Sequence, residues 1–136
     1  MFRPALLVLL AYTAAVSGQT VTECISSQPE FDCTAWITEF CPAIQEFTFN
    51  VGNSASRCYN TGTVIDGQAV ACMFNAYNEF GGNGAISGAN NCEPALALVS
   101  EECEGAAGVG FHAGDFTWTM ASRFGSCGNM DGISAL

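Results

Sequence analysis

Eight cysteines, at positions 24, 33, 41, 58, 72, 92, 103 and 127, constrain this chain more than any other feature of its 136 residues. They are even in number, and all lie downstream of a leader-like opening. That opening runs Met1-Phe2-Arg3, then an apolar stretch with Leu6, Leu7, Val8, Leu9 and Leu10, then Val16-Ser17-Gly18 before Gln19. A positive start, a short apolar core and small residues at the cut read as a secretory signal peptide over 1–18. Roughly thirteen apolar residues are too few to span a bilayer, and no later stretch is long enough. Export carries the thiols into an oxidising compartment, where an even set in a small domain pairs into disulfides. Zinc ligation uses closely paired cysteines, and no such pair occurs. Eight cysteines allow on the order of a hundred pairings, among which the sequence alone does not choose.

The remainder, 19–136, is the length of one ordinary domain and can bury a real core beneath its bridges. It holds two arginines, Arg57 and Arg123, and no lysine, against thirteen acidic residues. A chain so charged cannot neutralise phosphates, which excludes nucleic acid as a partner. Charged residues are only 12% of the sequence and phenylalanines number ten, which argues against disorder.

Hydrophobic periodicity alternates between helix and strand. Ser27-Gln28-Pro29-Glu30 matches a capping box and predicts a helix to about Phe40, stopped by Pro42. Cys33, Ile37, Phe40 and Cys41 make its buried stripe. Along 44–51, Phe47, Phe49 and Val51 alternate with polar residues, which predicts a half-buried strand. A short run at Arg57-Cys58-Tyr59 pairs back, Asp66-Gly67 turns the chain, and 70–77 is the next strand. Gly81 to Gly84 reads as a loop. Asn91 caps a second helix with Pro94 in its first turn; Cys92, Leu96, Val99 and Cys103 form its stripe. The cysteines within each helix stand about 12 and 16 Å apart, so neither pair bonds internally. Glu101, Glu102 and Glu104 crowd the C-terminal end of the second helix, where the macrodipole disfavours anions. Glycine-rich 105–114 reads as a loop, Phe116, Trp118 and Met120 alternate in a strand, and 129–136 reads as a loose tail. Two main helices among about four strands predict an α+β layered domain with a mostly antiparallel sheet.

Catalytic signals are sparse. His112, the one histidine, lies in the glycine-rich stretch; with Asp115 and an arginine it would make an acid–base hydrolase site. No nucleophile elbow, metalloprotease motif or calcium loop occurs, and paired cysteines are not nucleophiles. Carboxylates crowded on one helix turn, such as Glu101 with Glu104, do not face each other across a glycosidase cleft. No catalytic residue, metal or cofactor is therefore assigned. Binding chemistry fits better: a flat aromatic covers the apolar side of a sugar ring while amides and carboxylates take its hydroxyls. Trp118 shares the alternation of Phe116 and Met120 and belongs to the core. Tyr59 and Tyr77, beside Asn60 and Asn78, are the aromatics expected at the surface. Asn83, His112 and Asp115 join them from loops, where function concentrates.

Beyond these readings, the chain resembles a known family. The residues that carry the resemblance are an early helix ending Phe40-Cys41, Ser56-Arg57-Cys58-Tyr59-Asn60, Asn91-Cys92-Glu93-Pro94-Ala95-Leu96, Val99-Ser100-Glu101-Glu102-Cys103, and the strand around Phe116 before Gly125-Ser126-Cys127. Together they span most of 24–127 and are similar to small, cysteine-rich, secreted fungal proteins of the Y-three glycan-binding family, which is mushroom lectin-like. The resemblance implies a disulfide-stapled α/β sandwich, secretion, and binding of a glycan or glycoprotein without catalysis. It carries over no individual sugar contact. The expectation is a secreted, non-enzymatic carbohydrate-binding protein. The competing expectations are a secreted effector or toxin acting on a protein or membrane, and a small hydrolase using His112.

Overall fold

The computed structural model describes residues 19–26, 28–79, 82, 84–86, 89–104, 107–112 and 116–128. Among them, five strands form one sheet in the order β1-β6-β7-β4-β3, and every neighbouring pair is antiparallel. The strands are β1 (Gln19–Ile25), β3 (Ser54–Ile65), β4 (Gln68–Asn78), β6 (Ala107–His112) and β7 (Phe116–Phe124). A two-stranded ribbon pairs β2 (Thr48–Phe49) with β5 (Ala85–Ile86). Helices α1 (Ile37–Ile44, entered through a 3-10 turn at Thr34–Trp36) and α2 (Ala89–Glu102) form a second layer. This is an α+β fold with two helices on a mostly antiparallel framework.

The core lies between helices and sheet. Ile37, Phe40, Cys41 and Ile44 of α1, with Cys92, Ala95, Leu96 and Val99 of α2, meet Cys72, Phe74 and Ala76 of β4 and Phe116, Trp118 and Met120 of β7. Phe40 stacks on Phe74 at 5.1 Å between centroids, and Trp118, fully buried, lies 6.0 Å from Phe116. Each such side chain contributes about 1.5–3 kcal/mol on leaving water.

All eight cysteines are bridged: Cys24–Cys103, Cys33–Cys72, Cys41–Cys92 and Cys58–Cys127. As the spacing required, neither helical stripe closes on itself. The first three bridges tie the helical layer to the sheet or to itself, and the fourth pins the chain after β7 back onto β3.

Several elements differ from the sequence expectation. The first helix does not begin at Pro29. Residues 28–33 stay non-helical, with Pro29 buried and its carbonyl accepting from the Ser122 hydroxyl; Ser27 lies outside the described residues. Pro42 does not stop α1 but sits inside it. Its ring withholds one N–H, and the burial of four α1 side chains outweighs that cost. The strand expected over 44–51 shrinks to Thr48–Phe49, because Ile44 belongs to α1 and Val51 is 52% exposed. The short run at Arg57 is part of a twelve-residue strand. Its turn at Asp66-Gly67 holds as read: both residues have positive φ, 51° and 77°, the geometry of a two-residue hairpin between Ile65 and Gln68. Helix α2 starts at Ala89, so Asn91 is not its cap and Pro94 lies within it.

The largest correction concerns 105–114, where 107–112 is strand β6 rather than loop. A Cβ on Gly108 would come 2.6 Å from Val99 and 2.9 Å from the Cys103 sulfur. One on Gly110 would come 2.9 Å from the Ala95 carbonyl oxygen. Glycine is present because α2 lies directly on this strand, not because the chain turns there. Strand β1 was not foreseen at all. The stretches read as a leader, 1–18, and as a loose tail, 129–136, lie outside the described residues, and of the Gly81–Gly84 stretch only Gly82 and Gly84 are described.

Candidate functional site

Because strand side chains alternate, the face of the sheet opposite the helices is fixed by register. Across β3, β4 and β7 it carries successive rows: Ser54, Tyr77 and Thr117, then Ser56, Asn75 and Thr119, then Cys58, Met73 and Ala121, then Asn60, Ala71 and Arg123. The first two rows are hydroxyls and an amide around one tyrosine. Tyr77, 38% exposed, is the one aromatic of the exposed class among the residues whose side chains are described.

Hydrogen bonds hold this upper face in place. The Ser56 hydroxyl donates to Asn75 Oδ1 at 3.0 Å, and the Thr117 hydroxyl to Glu79 Oε2 at 2.8 Å. At the far end the Cys58–Cys127 bridge packs with Ala71 and Met73 and closes the surface. Strands β3, β4 and β7 contain no acidic residue, and they carry both Arg57 and Arg123. The acids among the described residues therefore lie on helices, turns, loops and β1. A sugar approaching Tyr77 meets Glu79 as the adjacent carboxylate.

The residues singled out in the sequence fall in different places. Tyr77 is on this face. Asn60 is too, about 20 Å along the sheet, where its Oδ1 accepts from the Cys127 amide at 2.9 Å. Tyr59 points to the helical side, half-buried, its ring edge-on to Phe74 at 5.8 Å. Asn78 is also on the helical side and fully buried; its amide donates to the carbonyls of Phe49, 3.1 Å, and Gly82, 2.8 Å. His112 ends β6 with its backbone opposite Gln19. Asn83 and Asp115 lie outside the described residues. The structure thus separates Tyr59 from Tyr77 and unites Tyr77 with Ser54, Ser56, Asn75, Thr117, Thr119 and Glu79, none of which the sequence reading selected. The signal was present: Thr117 and Thr119 occupy the polar phase of the alternation that placed Trp118 in the core.

Two concavities lie elsewhere. A groove of about 620 Å³ runs between α1 and α2, lined by Thr34, Ile37, Thr38, Glu93, Pro94 and Ala97. A hollow of about 230 Å³ is lined by Glu30, Phe31, Asp32, Cys103 and Glu104. Among the described residues no group of three potential ligands is placed to hold a metal ion, and no helix is long and apolar enough to cross a membrane.

A model of the glycan binding domain Y3 matches residues 32–127, from just before Cys33 to the last bridged cysteine. No curated protein matches the chain.

Proposed function

This chain belongs to the glycan binding domain Y3 family, and from that premise we propose that it is a secreted, lectin-like protein that binds an oligosaccharide without turning it over. The site we assign is the sheet face centred on Tyr77. One observation carries the assignment: a solvent-exposed ring stands among rows of hydroxyl and amide groups on a sheet anchored by three bridges. The ring covers the apolar face of a pyranose, and Asn75, Thr117, Thr119 and Glu79 supply donors and acceptors for its hydroxyls. A scaffold that does not rearrange pays little ordering entropy on binding.

Four disulfides support an extracellular setting, since such bridges persist in oxidising compartments. The signal peptide read over 1–18 supplies the route, and 19–136 is the domain that remains.

A glycan array probed with the oxidised protein tests the reading, with Tyr77→Ala alongside. The wild type retains a defined set of oligosaccharides, and Tyr77→Ala binds them about five- to tenfold more weakly. An array without hits, alongside binding to sugar-stripped cells, would turn the reading toward an effector of proteins or membranes. Cleavage of a retained oligosaccharide that His112→Ala abolishes would turn it toward a hydrolase.

A further inference from the structure

The groove between α1 and α2 lies in the helical layer, on the other side of the sheet from Tyr77. Its apolar surface comes from Ile37, Pro94 and Ala97, and its polar wall from Thr34, Thr38 and Glu93. At about 620 Å³ it is the size of a small-molecule site.

The groove is held open by covalent and polar ties. Cys41–Cys92 joins the two helices one residue before Glu93. The Thr34 hydroxyl is engaged with both Asp32 and Ser100, the latter on α2, which fixes the opposite wall. Its shape is therefore set before a ligand arrives.

Its charge is one-sided. Glu93 is half-buried, and among the described residues no cation or hydrogen-bond donor meets its carboxylate. Thr38, exposed on the same wall, adds a hydroxyl that donates or accepts, and its carbonyl lacks the helical N–H that Pro42 cannot supply. Both arginines of the described chain are committed elsewhere. Arg57 lies over the Phe47 ring at 5.7 Å, and the Arg123 Nε–H donates to the Phe124 carbonyl. With its high acidic excess, the chain also attracts cations at longer range. A half-buried carboxylate with no cationic partner among the described residues, beside a compact apolar surface, calls for a ligand that is cationic at one end and apolar at the other.

We propose that this groove is a second binding site, distinct from the glycan face, for a small ligand that joins a protonated amine to a compact apolar body. The ammonium seats on Glu93 with the Thr38 carbonyl as a further acceptor, and the apolar body covers Ile37, Pro94 and Ala97. Neutral ligands of the same shape bind less well, because they bury an unpaired carboxylate without supplying its charge.

Titration of the oxidised full chain with phenethylamine and with its neutral isostere 2-phenylethanol, read by calorimetry and ligand-observed NMR, tests this. The amine binds about tenfold more tightly than the alcohol in the wild type. Glu93→Gln brings the two ligands to the same affinity, and Ala97→Phe, which fills the groove, removes both. Circular dichroism and a thiol assay confirm that each variant is folded and bridged, and both variants keep the wild-type glycan-array profile. Equal affinity for amine and alcohol in the wild type, no binding of either, or amine preference surviving Glu93→Gln overturns the proposal. A glycan array without hits leaves these readouts unchanged and bears only on the sheet face.

Discussion

Asn78 has no solvent exposure, yet its amide spans two segments, donating to Phe49 before the first turn and to Gly82 after β4. Its backbone adds bonds to Gly52 and Asn53. Removing the amide strands the buried Phe49 carbonyl, at about 1–3 kcal/mol. Asn78→Ala should therefore lower the urea midpoint by that order while glycan affinity, measured well below the transition, stays near wild type. A loss of affinity without a loss of stability would place Asn78 in the binding machinery instead. At this scale the sequence was legible where alternation was strong: Phe116, Trp118 and Met120 share one phase and all are buried. It was not legible at Tyr59 and Asn78, because an aromatic or amide near a strand end reads the same whether its phase points to core or to solvent. Only register across β3, β4 and β7 separates them.

Among the elements, β6 shows how close packing disguises a strand. Glycines at 108 and 110 depress strand propensity and read as a loop, yet they admit α2 to within contact of the backbone. Gly108→Val should cost about 1–3 kcal/mol through overpacking against Val99 and the Cys103 sulfur. Thermal unfolding checks this; an unchanged midpoint would mean that α2 does not lie on β6. The prolines misled in the opposite direction. Pro42 and Pro94 read as a stop and a start, but both sit inside helices whose buried stripes and bridges outweigh one missing N–H each. The stripes themselves were correct in the sequence, because three- and four-residue spacing survives errors in helix boundaries. Strand β1 escaped notice because it is an edge strand with a register irregularity between Val21 and Glu23, which breaks its alternation.

For the whole molecule, charge and covalent ties divide the labour. Among the described residues, acids populate the helices, turns, loops and β1, while β3, β4 and β7 present an acid-free surface of hydroxyls, amides and Tyr77. The bridges make that surface rigid. Cys41→Ala combined with Cys92→Ala should lose about 2–4 kcal/mol of stability, read as a lower urea midpoint. Protein recovered from a secreting host should begin at Gln19 and weigh less than its reduced form by its eight thiol hydrogens. A retained leader or a free thiol in the native mass spectrum would contradict the export route. The layered architecture was readable from periodicity, and the family from the resemblance carried by segments such as Ser56-Arg57-Cys58-Tyr59-Asn60, whereas the face assigned to the ligand emerged only from strand order. The direct test is amide chemical-shift mapping by NMR with an oligosaccharide retained on the array. The account predicts shifts clustered at Ser56, Asn75, Tyr77, Thr117 and Thr119, with the α1–α2 groove silent. Shifts centred on Thr38, Glu93 and Ala97, with the Tyr77 rows unmoved, would contradict it.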